Sequence, residues 1–90
     1  MPRWIAIGTA SGWDDIEKFG AEMGETSNWR PDPRTAITSV TALEDGRLIA
    51  ECQAMKQEDF EAWLENKGWT VESITPITHL ARAGSIREIS

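Results

Sequence analysis

The stretch RLIAECQAMKQEDFEAWLENKG, Arg47 to Gly68, lies over RWIAIGTASGWDDIEKFGAEMG, Arg3 to Gly24, without a gap when the chain is set against itself at an offset of 44 residues. Seven of the 22 aligned positions are identical: Arg3/Arg47, Ile5/Ile49, Ala6/Ala50, Ala10/Ala54, Asp15/Asp59, Glu17/Glu61 and Gly24/Gly68. Asp14/Glu58, Ile16/Phe60 and Phe19/Trp63 keep the character of the side chain. Both segments open on a strand-like pattern and pass into apolar residues at helical spacing before a glycine, so each reads as one strand followed by one helix.

In the first copy Ser11 is placed as the N-cap, with Asp14 three residues on as in a capping box; Trp13, Ile16, Phe19 and Met23 form the inward stripe and Gly24 the stop. The second copy uses Phe60, Trp63 and Leu64, closed by Gly68, with Trp69 placed to fold back on the last turn. Between the copies, residues 25–34 carry Pro31 and Pro33 and read as a loop without regular structure. Thr35 to Leu43 follows as a strand, and Asp45-Gly46 is the signature of a two-residue hairpin turn. The last strand runs from about Thr70 to His79, where Pro76 suits only an edge position.

The expected order is βαββαβ over a single domain, residues 1–90, with 79–90 as a C-terminal tail. Right-handed crossovers place both helices on one face of a four-stranded antiparallel sheet, the α+β ferredoxin-like plait. Arg82, Gly84, Arg87, Ile86 and Ile89 make the tail either a short strand able to pair with a partner's sheet edge or a frayed terminus.

A two-residue turn would set Leu43 opposite Leu48, Thr41 opposite Ala50 and Val40 opposite Glu51. The face carrying Trp4, Ala6, Gly8, Leu48, Ala50 and Cys52 is assigned to the helices, because its small residues leave room for aromatic rings. The other face then carries Ile5, Ile7, Val40, Ala42 and Ile49 beside Thr9, Thr38, Glu51 and Gln53. Contiguous apolar patches are rarely left wet on a monomer, which predicts a homodimer through the helix-free sheet face.

Composition narrows the function classes. The formal net charge is −6, and residues 12–25 and 51–72 carry −4 each, so the excess acid belongs to the two helical segments and marks solvated faces. Such a chain is expected to bind neither nucleic acid nor a membrane surface, both of which are gripped through clustered lysine and arginine. One cysteine and one histidine exclude an internal disulfide and a zinc site, and no signal-like run precedes the first strand, so the expected compartment is cytoplasmic.

With βαββαβ and an apolar open face, and with IAECQAMKQEDFEAWLENKGWTVESITPI (49–77) as its second half, the chain resembles the dimeric α/β-barrel superfamily of small ferredoxin-like proteins. That resemblance implies a homodimer whose sheet-face cavity takes ligands. It also implies a choice among cofactor-free monooxygenases, muconolactone isomerase-like enzymes, haem-handling relatives and a small nickel-binding group. Fold alone does not select among these.

Glu51 is the leading candidate site residue, since it falls on a central strand of the open face beside Ile49. A carboxylate in an apolar cavity is a candidate general acid or base, and two related by a dimer axis could hold a cation. The plainer alternative is a rim acid paired with a surface cation. His79, the only histidine, would supply proton transfer with Glu51, or an N/O donor pair for a divalent metal such as nickel; a solvent-exposed strand-end histidine is its plainer reading. Ile5, Ile7, Val40 and Ile49 would line the cavity, and Trp29, beside Arg30 and Arg34, would either lid it or pin its own loop to the body. Cys52 reads as a small buried hydrophobe. Three functions follow: a homodimeric small-ligand or metal-ion binding protein, a cofactor-independent isomerase or monooxygenase using Glu51 and His79, or a dimerisation module with no pocket.

Overall fold

The computed structural model describes residues 2–88 other than 12, 14, 32 and 84, with the backbone alone at 26, 27, 82 and 85–88. Its elements are β1 (Arg3–Ala10), α1 (Ile16–Met23), α2 (Thr26–Trp29), β2 (Thr35–Ala42), β3 (Leu48–Ala54), α3 (Gln57–Asn66), β4 (Trp69–Pro76), β5 (His79–Arg82) and β6 (Ser85–Glu88). The first four strands form an antiparallel sheet in the order β2-β3-β1-β4, while β5 and β6 make a separate two-stranded sheet. This α+β arrangement is compatible with a ferredoxin-like plait.

The core lies between the helices and one sheet face. Burial alternates strictly along β3, with Leu48, Ala50, Cys52 and Ala54 buried and the residues between them half-exposed. Trp4, Ala6 and Gly8 of β1 stand opposite Cys52, Ala50 and Leu48, as expected. On this floor of small residues the rings of Phe60, Trp63, Trp69, Trp13 and Phe19 form a continuous chain, with neighbouring centroids 5.6–6.4 Å apart. Phe60 and Leu64 are fully buried, each contributing about 1.5–3 kcal/mol by leaving water.

The first helix begins later than its sequence suggested. Asp15 rather than Ser11 is the N-cap, its carboxylate accepting from Glu17 N at 2.9 Å. Ile16 thereby becomes the first helical residue and is 81% exposed instead of facing the core. Trp13 still reaches the core from the segment before the helix. The Asp14 half of the expected capping box lies outside the described residues. Residues 26–29, expected to be loop, form the short α2.

The hairpin between β2 and β3 differs from expectation by one residue. Leu43 N donates to Arg47 O at 2.8 Å and Gly46 N to Leu43 O at 3.1 Å, with Gly46 at φ +89°. These are the marks of a three-residue loop, Glu44-Asp45-Gly46, ending in a left-handed glycine, rather than a two-residue turn. The longer loop slips β2, so that Ala42 faces Leu48, Val40 faces Ala50 and Ser39 faces Glu51.

Each edge strand carries an irregularity. In β2 the register shifts between Ile37 and Ser39, leaving Thr38 as the extra residue; against β4 the shift falls between Ile7 and Gly8, leaving Glu72 as the extra residue. Such bulges interrupt an edge and re-aim side chains. At the second one, a methyl group added to Gly8 would stand 2.4 Å from the carbonyl oxygen of Thr70. Beyond Pro76, the tail pairs with itself: His79 faces Glu88 and Arg82 faces Ser85. Gly84 and Ile89 of the tail lie outside the described residues.

Gly8→Ala is therefore expected to destabilise the fold by about 1–3 kcal/mol, since backbone must move, and Gly46→Ala by about 1 kcal/mol, through φ alone; urea denaturation of the two variants checks the ranking. Asp45 is the group on which the hairpin's pH dependence rests. The backbone N–H of Arg47 foremost, at 3.0 Å, and then its guanidinium hold the Asp45 carboxyl below the ordinary aspartate value. A depressed folded-state pKa contributes stability above the unfolded-state value that is lost as pH falls through the folded one. An NMR titration should place the Asp45 midpoint below that of an unfolded peptide, and Asp45→Asn should abolish this contribution.

Candidate functional site

The helix-free face is built from the residues that alternate with the core. Ile5 stands opposite Glu51 and Thr75, and Ile7 opposite Ile49 and Ser73, so the three isoleucines are contiguous across the two central strands. Ser39 faces Glu51 from β2 and Thr41 faces Ile49, giving the apolar centre a hydroxyl rim on both sides. Glu51, Ile5, Ile7 and Ile49 are all half-buried. The β2 bulge puts Thr38 between the Glu51 and Cys52 positions, and its Oγ1 is buried without a hydrogen-bond partner among the described residues.

Arg3 was missed as a site residue although strand alternation from Ile5 points to it. It lies opposite Gln53, whose amide oxygen, turned toward it, accepts from Nε at 3.1 Å and from an Nη at 2.6 Å. Glu51 is the diagonal neighbour of Arg3 on the next strand, a spacing of about 7–8 Å that long side chains can cross. The face therefore carries a cation as well as an anion at one end and three isoleucines at the other. Hydropathy patterning alone had marked only the anion.

Other expected site residues fall elsewhere. Val40 belongs to the helix side, opposite Ala50 and packed against the core, because of the one-residue slip in the hairpin. Trp29 is also on the helix side. Its indole Nε1 donates to Met23 O at 2.5 Å and its ring packs against the core, so it pins α2 to the end of α1 rather than lidding the sheet face. His79 is exposed, its Nδ1 3.0 Å from Thr78 Oγ1, in the separate two-stranded sheet. It therefore stands in a different sheet from Glu51. Among the described residues no group of three or more His, Cys, Asp and Glu side chains is arranged to hold a metal ion. Cys52 is buried and free of disulfides, as expected.

Further openings surround the helices. One of about 590 Å³ is lined by Ser11, Lys18, Glu22 and Asn28, and one of about 300 Å³ by Asn28, Asp59, Trp63 and Lys67. Asn28 divides them and ties three helices together. Its Nδ2 donates to Glu22 O at 2.6 Å, its backbone carbonyl accepts from Trp63 Nε1 at 2.9 Å, and its Oδ1 accepts from Lys67 Nζ. Lys67 also lies 3.5 Å from the Glu22 carboxylate. These contacts commit Asn28, Glu22, Trp63 and Lys67 to packing between the helices.

No family model, curated protein or solved structure matches the chain. No helix among the described residues is long and apolar enough to cross a membrane. The site must be read from its own geometry.

If Trp29 is a pin, Trp29→Phe should lower stability by about 1 kcal/mol through loss of one buried hydrogen bond, seen in chemical denaturation, and leave the oligomeric state unchanged. A change in oligomeric state without a change in stability would assign Trp29 to an interface instead.

Proposed function

We propose that the protein is a homodimeric binding module in which the helix-free sheet faces of two copies enclose a small apolar or aromatic molecule with a polar end. The observation that carries this reading is the contiguous patch of Ile5, Ile7 and Ile49, left uncovered by either helix and bounded by Glu51. The resemblance to the dimeric α/β-barrel proteins agrees with it in architecture. Arg3 and Glu51 would orient the polar end of the guest, and the hydroxyls of Ser39, Thr41, Ser73 and Thr75 would form the wet rim.

Magnitudes favour a dimer whose stability depends on its contents. Each half-buried isoleucine has roughly 1 kcal/mol left to gain, so six across a two-fold axis offer about 6 kcal/mol. Association costs about 4–15 kcal/mol in lost rigid-body freedom. The empty dimer is therefore expected to be weak, and a guest that fills the space between the sheets tightens it.

Sedimentation of the wild-type chain at micromolar concentration, with and without anilinonaphthalene sulfonate as an apolar anionic probe, tests the proposal. The expected result is a dimer tightened by the probe, while Ile7→Lys gives a folded monomer with unchanged circular dichroism and no probe fluorescence. A wild-type chain that stays monomeric in both conditions overturns the reading.

A further inference from the structure

On the helix side, reaching Ser73 at the margin of the isoleucine face, a groove of about 340 Å³ runs between α3 and β4. Its apolar wall is Trp69, Val71 and Ile74, and its acidic wall is Glu61, Glu65 and Glu72; among the described residues no lysine or arginine lines it. None of these three carboxylates is in an ion pair among the described residues. Glu61 accepts a hydrogen bond from Gln57 Nε2 at 2.7 Å.

Three features separate this groove from an ordinary solvated acidic face. First, β4 is an edge strand, paired on one side with β1, so its outer backbone donors and acceptors are not used by the sheet. Second, the bulge opposite Ile7 and Gly8 inserts Glu72 between Val71 and Ser73, and both Val71 and Glu72 line the groove where strict alternation would bring only one. Val71 is 37% exposed there, an apolar side chain left facing solvent. Third, Trp69 is more than nine-tenths buried and its indole Nε1 has no hydrogen-bond partner among the described residues, a cost that native cores rarely carry.

We propose that this groove docks a basic, extended peptide segment of a protein partner, added to the sheet as a strand beside β4. Backbone pairing to the edge supplies affinity, and alternate side chains supply specificity. The aliphatic stem of an arginine or lysine lies along Val71 and Trp69 while its charged head sits among Glu61, Glu65 and Glu72. The occupant is cationic because a cation is what three carboxylates without a counter-ion among the described residues complement. It is extended because the bare surface beside them is a strand edge. Pairing stops at Pro76, which has no N–H to offer.

The test uses the whole chain, isotopically labelled, and a seven-residue peptide of alternating arginine and valine. Amide shifts are expected to change along β4 and the facing side of α3, and the outer β4 amides should gain protection from hydrogen exchange. Affinity should fall roughly tenfold in the E61Q/E65Q/E72Q variant, and a peptide with glutamate for arginine should not bind. Shift changes spread over both acidic helices, with no gain in β4 protection and no response to the triple substitution, would overturn the proposal, as would absence of binding. Because Ile7→Lys lies on the other sheet face, peptide binding by that variant separates this site from the dimer.

Discussion

The strip of small residues on the helix side of the central strands, Ala6 and Gly8 on β1 against Ala50, Cys52 and Ala54 on β3, is the constraint on which the remaining structure depends. A sheet covered by five aromatic rings can be packed at interior density only if the floor beneath them is nearly flat. The edge-to-face contacts of Trp13 with Phe19 and Trp69 extend one ring system from α1 to α3. A larger side chain at Ala50 would lift that system as a unit. The same small residues account for Gly8, where β4 approaches so closely that no Cβ is accommodated.

The two helices are held by different means. The longer α3 buries Phe60, Trp63 and Leu64, whereas α1 buries no residue fully and reaches the core through half-buried Phe19 and Met23. What α1 lacks in buried area is made up by polar ties through Asn28, which meets Glu22, Trp63 and Lys67. This explains why a residue in a proline-flanked segment is among the best connected in the molecule. It also explains why Trp29, one position later, spends its indole N–H on the end of α1.

The element order and the two sheet faces were legible because burial imposes a period of two on strands and the repeat marks both strand-helix units. Ala50 and Cys52 could hardly face anything but the helices once Glu51 and Gln53 alternated with them. Val40 was not legible. Asp-Gly serves both a two-residue turn and the last two positions of a three-residue turn, and the choice between them reverses the side chains of β2 from Ser39 to Ala42, until the bulge at Thr38 returns Ile37 and Thr35 to the helix side. Local geometry at Asp45, whose carboxylate accepts from Arg47 N at 3.0 Å, belongs to the longer loop. Ile16 misled for a related reason: with Asp15 as the cap, the first helical residue points away from the sheet.

The sequence by itself determined the four main strands and two longer helices, their order, the helix-side core and the uncharged isoleucine centre of the opposite face, because each follows from hydrophobic periodicity within a short window. Only the tertiary structure decided the register of β2, the pairing that sets Arg3 diagonal to Glu51, the placing of His79 in a second sheet, and the acidic groove beside β4. The register of β2 and the groove beside β4 depend on where the chain inserts an extra residue, at Gly46, Thr38 and Glu72, and an insertion is set by the fit between neighbouring strands rather than by the preference of any one of them.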